Sequence, residues 1–200
     1  MTTGQPDNPT TLSIVTLGHI HTDALESLTP HFSRIEQLVT DLAPRVALSD
    51  KRAELNRAID AASSDWILVL REREFVDPSL GEEIPRVIKA ADAWGFRIRV
   101  APIYAGRPLR LGRDAGELRL FHRRHLLRRG ELAVQGTIIR LQNALLARTF
   151  DSPEAHREYL EKRGVPHSSL RRALLFLRNA RTVDRNTLRY LWIEAGFDQS

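Results

Sequence analysis

The chain has 200 residues, of which 42% are hydrophobic and 28% are charged, so it can bury one full-sized core and is not a low-complexity protein. It contains no cysteine, which excludes a disulfide scaffold, a cysteine-ligated zinc site and a thiol nucleophile. The net charge is +5, but residues 1–96 hold 9 Lys and Arg against 15 Asp and Glu, whereas residues 97–200 hold 21 against 10, and such a basic half favours an anionic partner.

The polar stretch at the start of the chain predicts a disordered tail over residues 1–10. It lacks the basic and apolar regions of a secretory signal. No segment approaches the run of about 18 apolar residues that a membrane-spanning helix needs. We therefore expect a cytoplasmic protein whose contact with the inner membrane, if any, is peripheral.

Strand and helix patterns alternate along the next 140 residues. Strand patterns cover residues 12–17, 35–40, 67–70, 96–104 and 117–121, with a further apolar stretch at 138–146. Helix patterns cover residues 22–28, 51–62 with Asp50 as the N-cap, and 77–93 with Gly95 after its end. This alternation predicts an α/β domain over residues 11–150, in which helices flank a mostly parallel sheet.

The remaining residues, 151–200, predict a helical extension. A helix pattern begins near Ser152 and ends at Gly164, and a second pattern begins near Ser168. The segment 168–192 combines six arginines with an apolar stripe, so it could lie on an anionic membrane surface. The alternative is that the stripe packs on the domain, which the interruption of the basic face by Asp184 favours.

Four charges of alternating sign, Arg71 to Glu74, follow directly after the buried strand at 67–70. Ligands of open α/β sheets bind beyond the carboxyl ends of the strands, so this cluster lies where chemistry is common. An ordinary solvated strand end is the alternative. If the chain stays extended here, Arg71 and Arg73 share one face and could present their forked donors to one diphosphate.

Three stretches resemble family 2 glycosyltransferases. AELNRAIDAASSDWILVLREREFVDPSLGEEI is similar to the family's AxxRNxA helix followed by GDWILxLDADExVxPxL. Downstream, ELRLFHRR and RGELAVQGTIIRLQNALLARTFDSPEAHREYL resemble the branch of the family that adds sugars to lipopolysaccharide cores. The resemblance covers residues 12–163. It implies a GT-A-like, Rossmann-like fold, a nucleotide-sugar or lipid-linked glycan as ligand, and a role in cell-envelope glycan assembly.

The resemblance also implies roles for individual residues. Glu131 stands at the position of the family's catalytic base, and Asp41 and Asn56 stand at nucleotide-binding positions. Glu74 matches the acid that follows the family's DxD motif, beside the diphosphate. Arg119, in ELRLFHRR, matches an arginine that would bind the acceptor or an anion.

Departures from the family pattern concentrate at the metal site. Arg71 and Arg73 replace the two Asp residues of the DxD, which hold a divalent cation through hard carboxylate oxygens. An arginine cannot ligate a metal, so we expect no metal cofactor. Gly130 and Ala147 replace two histidines of the family, and Leu55 replaces the Arg that precedes its Asn.

Several functions remain open after these departures. In the first, the donor site is inactive and the fold serves as a binding or scaffolding module. In the second, Arg71 and Arg73 hold the diphosphate in a metal-independent transferase. In a variant of the first function, Arg71 and Arg73 form salt bridges with neighbouring acids and thereby close the donor pocket. The acids considered are Glu72, Glu74, Glu82 and Glu83.

A third class of function is a basic module that binds nucleic acid or an anionic membrane. The run FHRRHLLRR has its single aromatic at Phe121, so it lacks the stacking platform of a nucleic-acid binder. His122 and His125 lie in this run, and its four arginines favour a protonated or solvated face over a metal site. His19 and His21 flank one residue after the first strand, with no third ligand in the sequence nearby.

Overall fold

The computed structural model of the chain describes residues 11–18, 22–40, 48–90, 92–109, 116–127 and 132–163, together with positions 187, 190 and 193. The chain divides into two compact units, one made of Met1–Arg99 with Ala115–Leu145, the other of Val100–Asp114 with Leu146–Ser200. The second unit thus includes a hairpin segment that precedes the predicted boundary at residue 150. The predicted tail, residues 1–10, lies outside the described residues.

The described ranges between residues 11 and 163 contain ten strands and three α-helices, besides short 3₁₀ turns. In chain order they are β1 (Thr11–Leu17), β2 (Arg34–Thr40), α1 (Leu48–Ala61), β3 (Trp66–Arg71), β4 (Glu74–Phe75), α2 (Pro78–Ala90), β5 (Gly95–Tyr104), β6 (Arg107–Pro108), β7 (Glu117–His122), β8 (Leu126–Leu127), β9 (Ala133–Val134), β10 (Ile138–Phe150) and α3 (Pro153–Arg163). The helix predicted at 22–28 consists instead of two short 3₁₀ turns, Thr22–Leu25 and Thr29–His31. The second turn has Pro30 in its first positions, where a missing N–H is tolerated.

The main sheet is mixed, with the strand order β2-β1-β3-β7-β5-β10-β4. β1 runs parallel to both β2 and β3, and β7 runs antiparallel to both β3 and β5. The α/β class predicted from the sequence is therefore confirmed. The parallel part of the sheet is β2-β1-β3, whose carboxyl ends lie along one edge.

Apolar residues on β1 and β3 form the centre of the first unit. Residues 67–70 are all buried, as expected for a strand covered on both faces. Helix α1 packs on this strand through Leu55 and Ile59, which join one core cluster with Val15 and Phe121. The helical spacing of four between Leu55 and Ile59 places both side chains on the same face. This face covers the parallel strands and leaves their carboxyl ends to the loops.

Helix boundaries differ from the sequence predictions at two places. Helix α1 begins at Leu48, so Asp50 lies in its first turn and is not its N-cap. Helix α2 ends at Ala90, three residues before the predicted end, and Gly95 opens β5. Its start is as predicted, because Asp77 Oδ1 accepts a hydrogen bond from the backbone N–H of Leu80 at 2.8 Å.

Two serines hold the carboxylate of Glu36 near the amino ends of the parallel strands. Ser13 Oγ donates to Glu36 Oε2 at 2.5 Å, and the N–H and Oγ of Ser63 donate to the same oxygen at 2.7 and 2.9 Å. The Ser64 N–H donates to Ser13 Oγ at 3.1 Å. Burial alone would raise the pKa of Glu36, but these hydrogen bonds and the charge of Arg34 outweigh it and lower the pKa below 4.5.

The second unit has its own aromatic core. The ring of His156, on α3, is fully buried between the rings of Phe150 and Tyr190, with centroids 4.3 and 5.1 Å away. Thr187, Tyr190 and Ile193 are helical and buried, at the spacing of one helix face. Most of the basic segment predicted at 168–192 lies outside the described residues. No described helix is long and apolar enough to cross a membrane.

At Gly81, helix α2 passes close to the turn that contains Ser27. A Cβ at position 81 would lie 2.6 Å from the Ser27 carbonyl oxygen. Gly81→Ala should therefore lower the free energy of unfolding by about 1–3 kcal/mol, although alanine favours helix. Urea unfolding measures this, with the exposed Glu82→Ala on the same helix as a control that should change it by less than about 0.5 kcal/mol. A more stable Gly81→Ala protein would contradict the close contact.

The ionisation of Glu36 should make the stability of the fold depend on pH. Because its folded-state pKa is lowered, its carboxylate stabilises the fold above pH 4.5, and this contribution is lost as the pH falls through the folded-state value. The free energy of unfolding should exceed that of Glu36→Gln at neutral pH, and the difference should shrink under acid conditions. Urea unfolding of both proteins at about pH 7 and about pH 3.5 tests this. A difference that grows on acidification would have the wrong sign.

Candidate functional site

The carboxyl ends of the three parallel strands meet at one edge of the first unit. The Gly18 N–H donates to the Thr40 carbonyl oxygen at 3.2 Å, and the Glu72 N–H donates to the Leu17 carbonyl oxygen at 3.0 Å. Gly18 has a φ of +91° and lies against the side chain of Glu72. This edge is where open α/β sheets bind ligands, and it carries the charged cluster singled out in the sequence.

The charged cluster is a tight turn. β3 ends at Arg71, Glu72 and Arg73 form the turn, and β4 begins at Glu74. Arg73 has a φ of 67°, a left-handed conformation that is rare for residues other than glycine, asparagine and aspartate. The two arginines therefore do not lie on one extended strand, because Glu72 and Arg73 form the turn after β3 and Arg73 is left-handed.

A buried ion pair closes this turn onto the neighbouring strand. Glu74 Oε1 accepts a hydrogen bond from Arg119 Nη2 at 3.0 Å, and the two side chains are only 5% and 2% exposed. The other carboxylate oxygen, Oε2, accepts the backbone N–H of Arg71 at 2.8 Å. Both oxygens of Glu74 are thus engaged within the protein. Arg119, inside β7, is thus paired with a charge that follows a different strand.

A second carboxylate, Glu117, lies between two arginines of this edge. Glu117 Oε2 accepts a hydrogen bond from Arg71 Nη2 at 2.7 Å and forms an ion pair with Arg119 Nη2 at 3.2 Å. Arg71 and Glu117 are each about half-exposed, with 54% and 52% of their side chains accessible. Arg71, Glu74, Glu117 and Arg119 therefore form one network, which we call the arginine–glutamate network.

The pKa of Arg119 is lowered within this network. Burial is the main cause, because it penalises the charged guanidinium, and repulsion from Arg71 acts in the same direction. The charges of Glu74 and Glu117 oppose this shift. The Nε atom of Arg119 is buried and has no hydrogen-bond acceptor among the described residues. One donor of this guanidinium is therefore unused within the described part of the chain.

The chemistry of this edge does not fit a divalent cation. Arg71 and Arg73 stand where the resembled family has its two metal-binding Asp residues, and Glu74 uses both its oxygens within the network. Within the described ranges, no three His, Asp or Glu side chains cluster in a way that could hold a metal ion. The arrangement can bind an anion or stabilise the fold.

The structure brings together three of the residues predicted for the site: Arg71, Glu74 and Arg119. Asn56 is partly buried on α1, and its nucleotide-binding role stays a prediction. Asp41 and Glu131 lie outside the described residues, so their roles also stay predictions.

Glu117 is the residue of this site that the sequence reasoning missed. The acids expected to pair with Arg71 were its neighbours in sequence, yet its partner is 46 residues downstream. The available signal was the spacing of Glu117 and Arg119, which places both side chains on one face of a strand.

Glu83, one of those expected partners, has a different role. Its carboxylate accepts the backbone N–H groups of Gln142 and Asn143 at 2.8 and 2.9 Å, and also Asn143 Nδ2 at 2.9 Å. This carboxylate therefore fixes β10 against α2. The expectation that it helps to close the arginine cluster is not met, because its oxygens bind the backbone of β10.

The two histidines of FHRRH belong to an aromatic cluster. The rings of Trp94 and His125 stack with centroids 3.8 Å apart, and His122 meets Trp66 and Trp94 edge-on at 5.2 and 5.3 Å. Burial, together with nearby cationic groups, lowers the pKa of His122. His122 thus lies among aromatic rings, and the protonated or solvated face expected for the run FHRRHLLRR stays a prediction. His19 and His21 lie outside the described residues.

Neither a scan against protein-family models nor a search of curated proteins finds a match for the chain. The resemblance to family 2 glycosyltransferases therefore depends on the motif positions alone.

Removal of the Glu74 carboxylate would leave the buried Arg119 without its closest counter-charge. Glu74→Ala should lower the free energy of unfolding by about 3–5 kcal/mol, since an uncompensated buried charge is costly. The double variant Glu74→Leu, Arg119→Leu should recover most of that loss, because it removes both charges. Urea unfolding at neutral pH measures both variants.

The exposed Glu72→Ala is the matched control, and it should change the free energy of unfolding by less than about 0.5 kcal/mol. If Glu74→Ala costs less than about 1 kcal/mol, the ion pair does not hold the turn to β7.

Proposed function

We propose that the chain is a glycosyltransferase family 2-like protein with a GT-A-like fold that has lost metal-dependent sugar transfer. In this proposal it has a binding or scaffolding role in cell-envelope glycan assembly. The observation that carries the proposal is the engagement of Glu74. Its carboxylate stands at the position of the family's third acid, and it is held by the buried Arg119 and by the backbone of Arg71.

The chemistry of nucleotide-sugar transfer supports the loss of metal dependence. A departing nucleoside diphosphate develops negative charge that a transferase must neutralise, and in the resembled family a carboxylate-bound divalent cation does so. Arg71 and Arg73 offer only donors, which cannot ligate a cation. Glu117, a further carboxylate at this edge, lies between Arg71 and Arg119, so it too is neutralised within the network.

A metal-independent transferase is the second candidate. It is favoured by Arg71, whose half-exposed guanidinium lies at the end of β3, where a diphosphate would lie in a sheet of this type. The turn at Arg73 weakens it, because the two arginines do not present their donors from one strand face. This function also requires Glu131 as the catalytic base.

For the basic segment 168–192, the structure favours packing on the protein over membrane binding. The described positions Thr187 and Tyr190 fall within the segment 168–192, and both are buried in the second unit. Their helix face is thus already covered by protein. An anionic membrane surface and nucleic acid remain partners of the third class, the basic module, which we rank below the first two.

The proposal predicts how diphosphates bind with and without metal. UDP, GDP and their hexose conjugates should bind weakly or not at all, and Mn²⁺ should not change the affinity, because guanidinium groups rather than a cation would neutralise the diphosphate. No sugar should be released from any conjugate. Isothermal titration calorimetry and a product assay measure these outcomes. Mn²⁺-dependent binding or transfer would overturn the proposal, and metal-independent transfer that is lost in Arg71→Ala would favour the second candidate.

A variant tests the metal argument directly. Arg71→Asp, Arg73→Asp restores carboxylates at the two ligand positions, and Asp tolerates the left-handed turn at position 73 better than Arg does. This variant should gain measurable Mn²⁺ affinity without gaining transfer. The matched control Arg57→Asp, Arg86→Asp makes the same charge change on exposed faces of α1 and α2 and should gain none.

A further inference from the structure

Glu117 occupies the position that a bound anion would take between two arginines. One oxygen, Oε2, lies 2.7 Å from Arg71 Nη2 and 3.2 Å from Arg119 Nη2. Glu117 and Arg119 belong to β7, whereas Arg71 ends β3, so the carboxylate joins two strands. The two guanidinium groups converge on a single oxygen.

The two arginines need an anion between them. Arg119 is almost fully buried and is fixed by Glu74, so it cannot turn away from Arg71. Two guanidinium groups that face the same point repel each other, and their repulsion is stronger where water is excluded. Glu74 neutralises only one of the two charges. Glu117 supplies the second negative charge and makes the network neutral.

Exposure differs sharply within the network. Glu117 and Arg71 are half-exposed, whereas Glu74 and Arg119 are buried. An exposed ion pair contributes little stability, so the contact between Glu117 and Arg71 can open at small cost. The buried pair stays in place when it opens. This edge of the sheet therefore has one buried, fixed cation, Arg119, and two half-exposed side chains, Arg71 and Glu117, that can move.

We propose that Arg71 and Arg119 form a binding site for a phosphoryl group, and that Glu117 fills this site as an internal competitor when no ligand is bound. A phosphoryl group fits better than a carboxylate. It carries up to two negative charges and three acceptor oxygens, so it can engage both guanidinium groups at once. A free carboxylate offers no more than Glu117 already does at high local concentration.

Arg119 Nε adds a reason to expect a larger anion than a carboxylate. This donor is buried and has no acceptor in the described parts of the chain, although Nε and Nη2 lie on one edge of the guanidinium plane. A tetrahedral anion can place two oxygens on such an edge, whereas Glu117 contacts Nη2 only.

The inference deepens the proposed function and rests on it, since it gives the closed edge of the sheet a ligand class. The ligand would be the phosphoryl group of a phosphate ester, a diphosphate or a phosphorylated glycan carrier. These sources share the same chemistry, and the choice of probe separates them.

The test compares two single variants that remove one negative charge from the same edge. Glu117→Gln removes the internal competitor, and Glu72→Gln removes an exposed carboxylate from the adjacent turn. Inorganic pyrophosphate is titrated into each protein in metal-free buffer at low salt. Glu117→Gln should bind pyrophosphate at least about tenfold more tightly than the natural protein. Glu72→Gln should change the affinity by less than about threefold, because Glu117 and Glu74, not Glu72, pair with Arg71 and Arg119.

Two further arms identify the ligand class and its partners. Arg71→Ala in the Glu117→Gln background should return the affinity to that of the natural protein or below. Acetate should gain no affinity from Glu117→Gln. Equal gains for acetate and pyrophosphate would overturn the choice of a phosphoryl group, and equal gains for both glutamate variants would mean that only the net charge matters. UMP, UDP and a polyprenyl phosphate as probes then rank the three sources.

Outcomes that concern this inference differ from those that concern the proposed function. If Glu117→Gln folds by circular dichroism and gains no pyrophosphate affinity, the inference fails and the loss of the metal site stands. If binding appears only with Mn²⁺, the proposed function fails as well. If Glu117→Gln does not fold, the natural protein decides, since millimolar pyrophosphate should bind it and Arg71→Ala should abolish that binding. Absence of binding to the natural protein would then overturn the inference.

Discussion

The ion pair between Glu74 and Arg119 is the constraint on which the candidate site depends. It joins the turn after β3 to β7, and both charges are buried, so neither can be lost without leaving the other uncompensated. Because Glu74 also binds the backbone N–H of Arg71, the pair fixes where β3 ends and where the chain turns. The positions of Arg71 and Glu117 at the rim follow from this arrangement.

Charge balance explains how a site of this kind can change chemistry while the fold is kept. In the resembled family, carboxylates surround a cation. Here Arg71 and Arg119 take the positive role, and Glu74 and Glu117 neutralise them within the protein. Under the proposed function, this edge of the sheet attracts an anion where the resembled family attracts a metal. Such an exchange needs few substitutions, because the strands supply the geometry and the side chains supply the charge.

Local patterns predicted the fold elements well and the long-range pairing poorly. The buried run at 67–70 and the alternation at 96–104 identify their strands, because each pattern of apolar residues lies within a single strand. The antiparallel insertion of β7 depends on contacts between distant strands, which no local pattern encodes. For the same reason the sequence pointed to Arg71 and Glu74 but not to Glu117, whose partner is set by the register of β7 beside β3. The left-handed turn at Arg73 could not be predicted either, because arginine is not a residue that favours such turns.

The place of β7 in the sheet has a consequence for the synthesis of the protein. β7 pairs with β3 on one side and β5 on the other, yet both of those strands precede it in the chain. A nascent chain that has left the ribosome only as far as residue 116 therefore has two strand edges facing a gap at the centre of its sheet. Unpaired edges invite pairing with other chains, and long-range strand insertion is slow. During translation, the middle of the sheet thus keeps unpaired strand edges until the segment carrying Arg119 arrives.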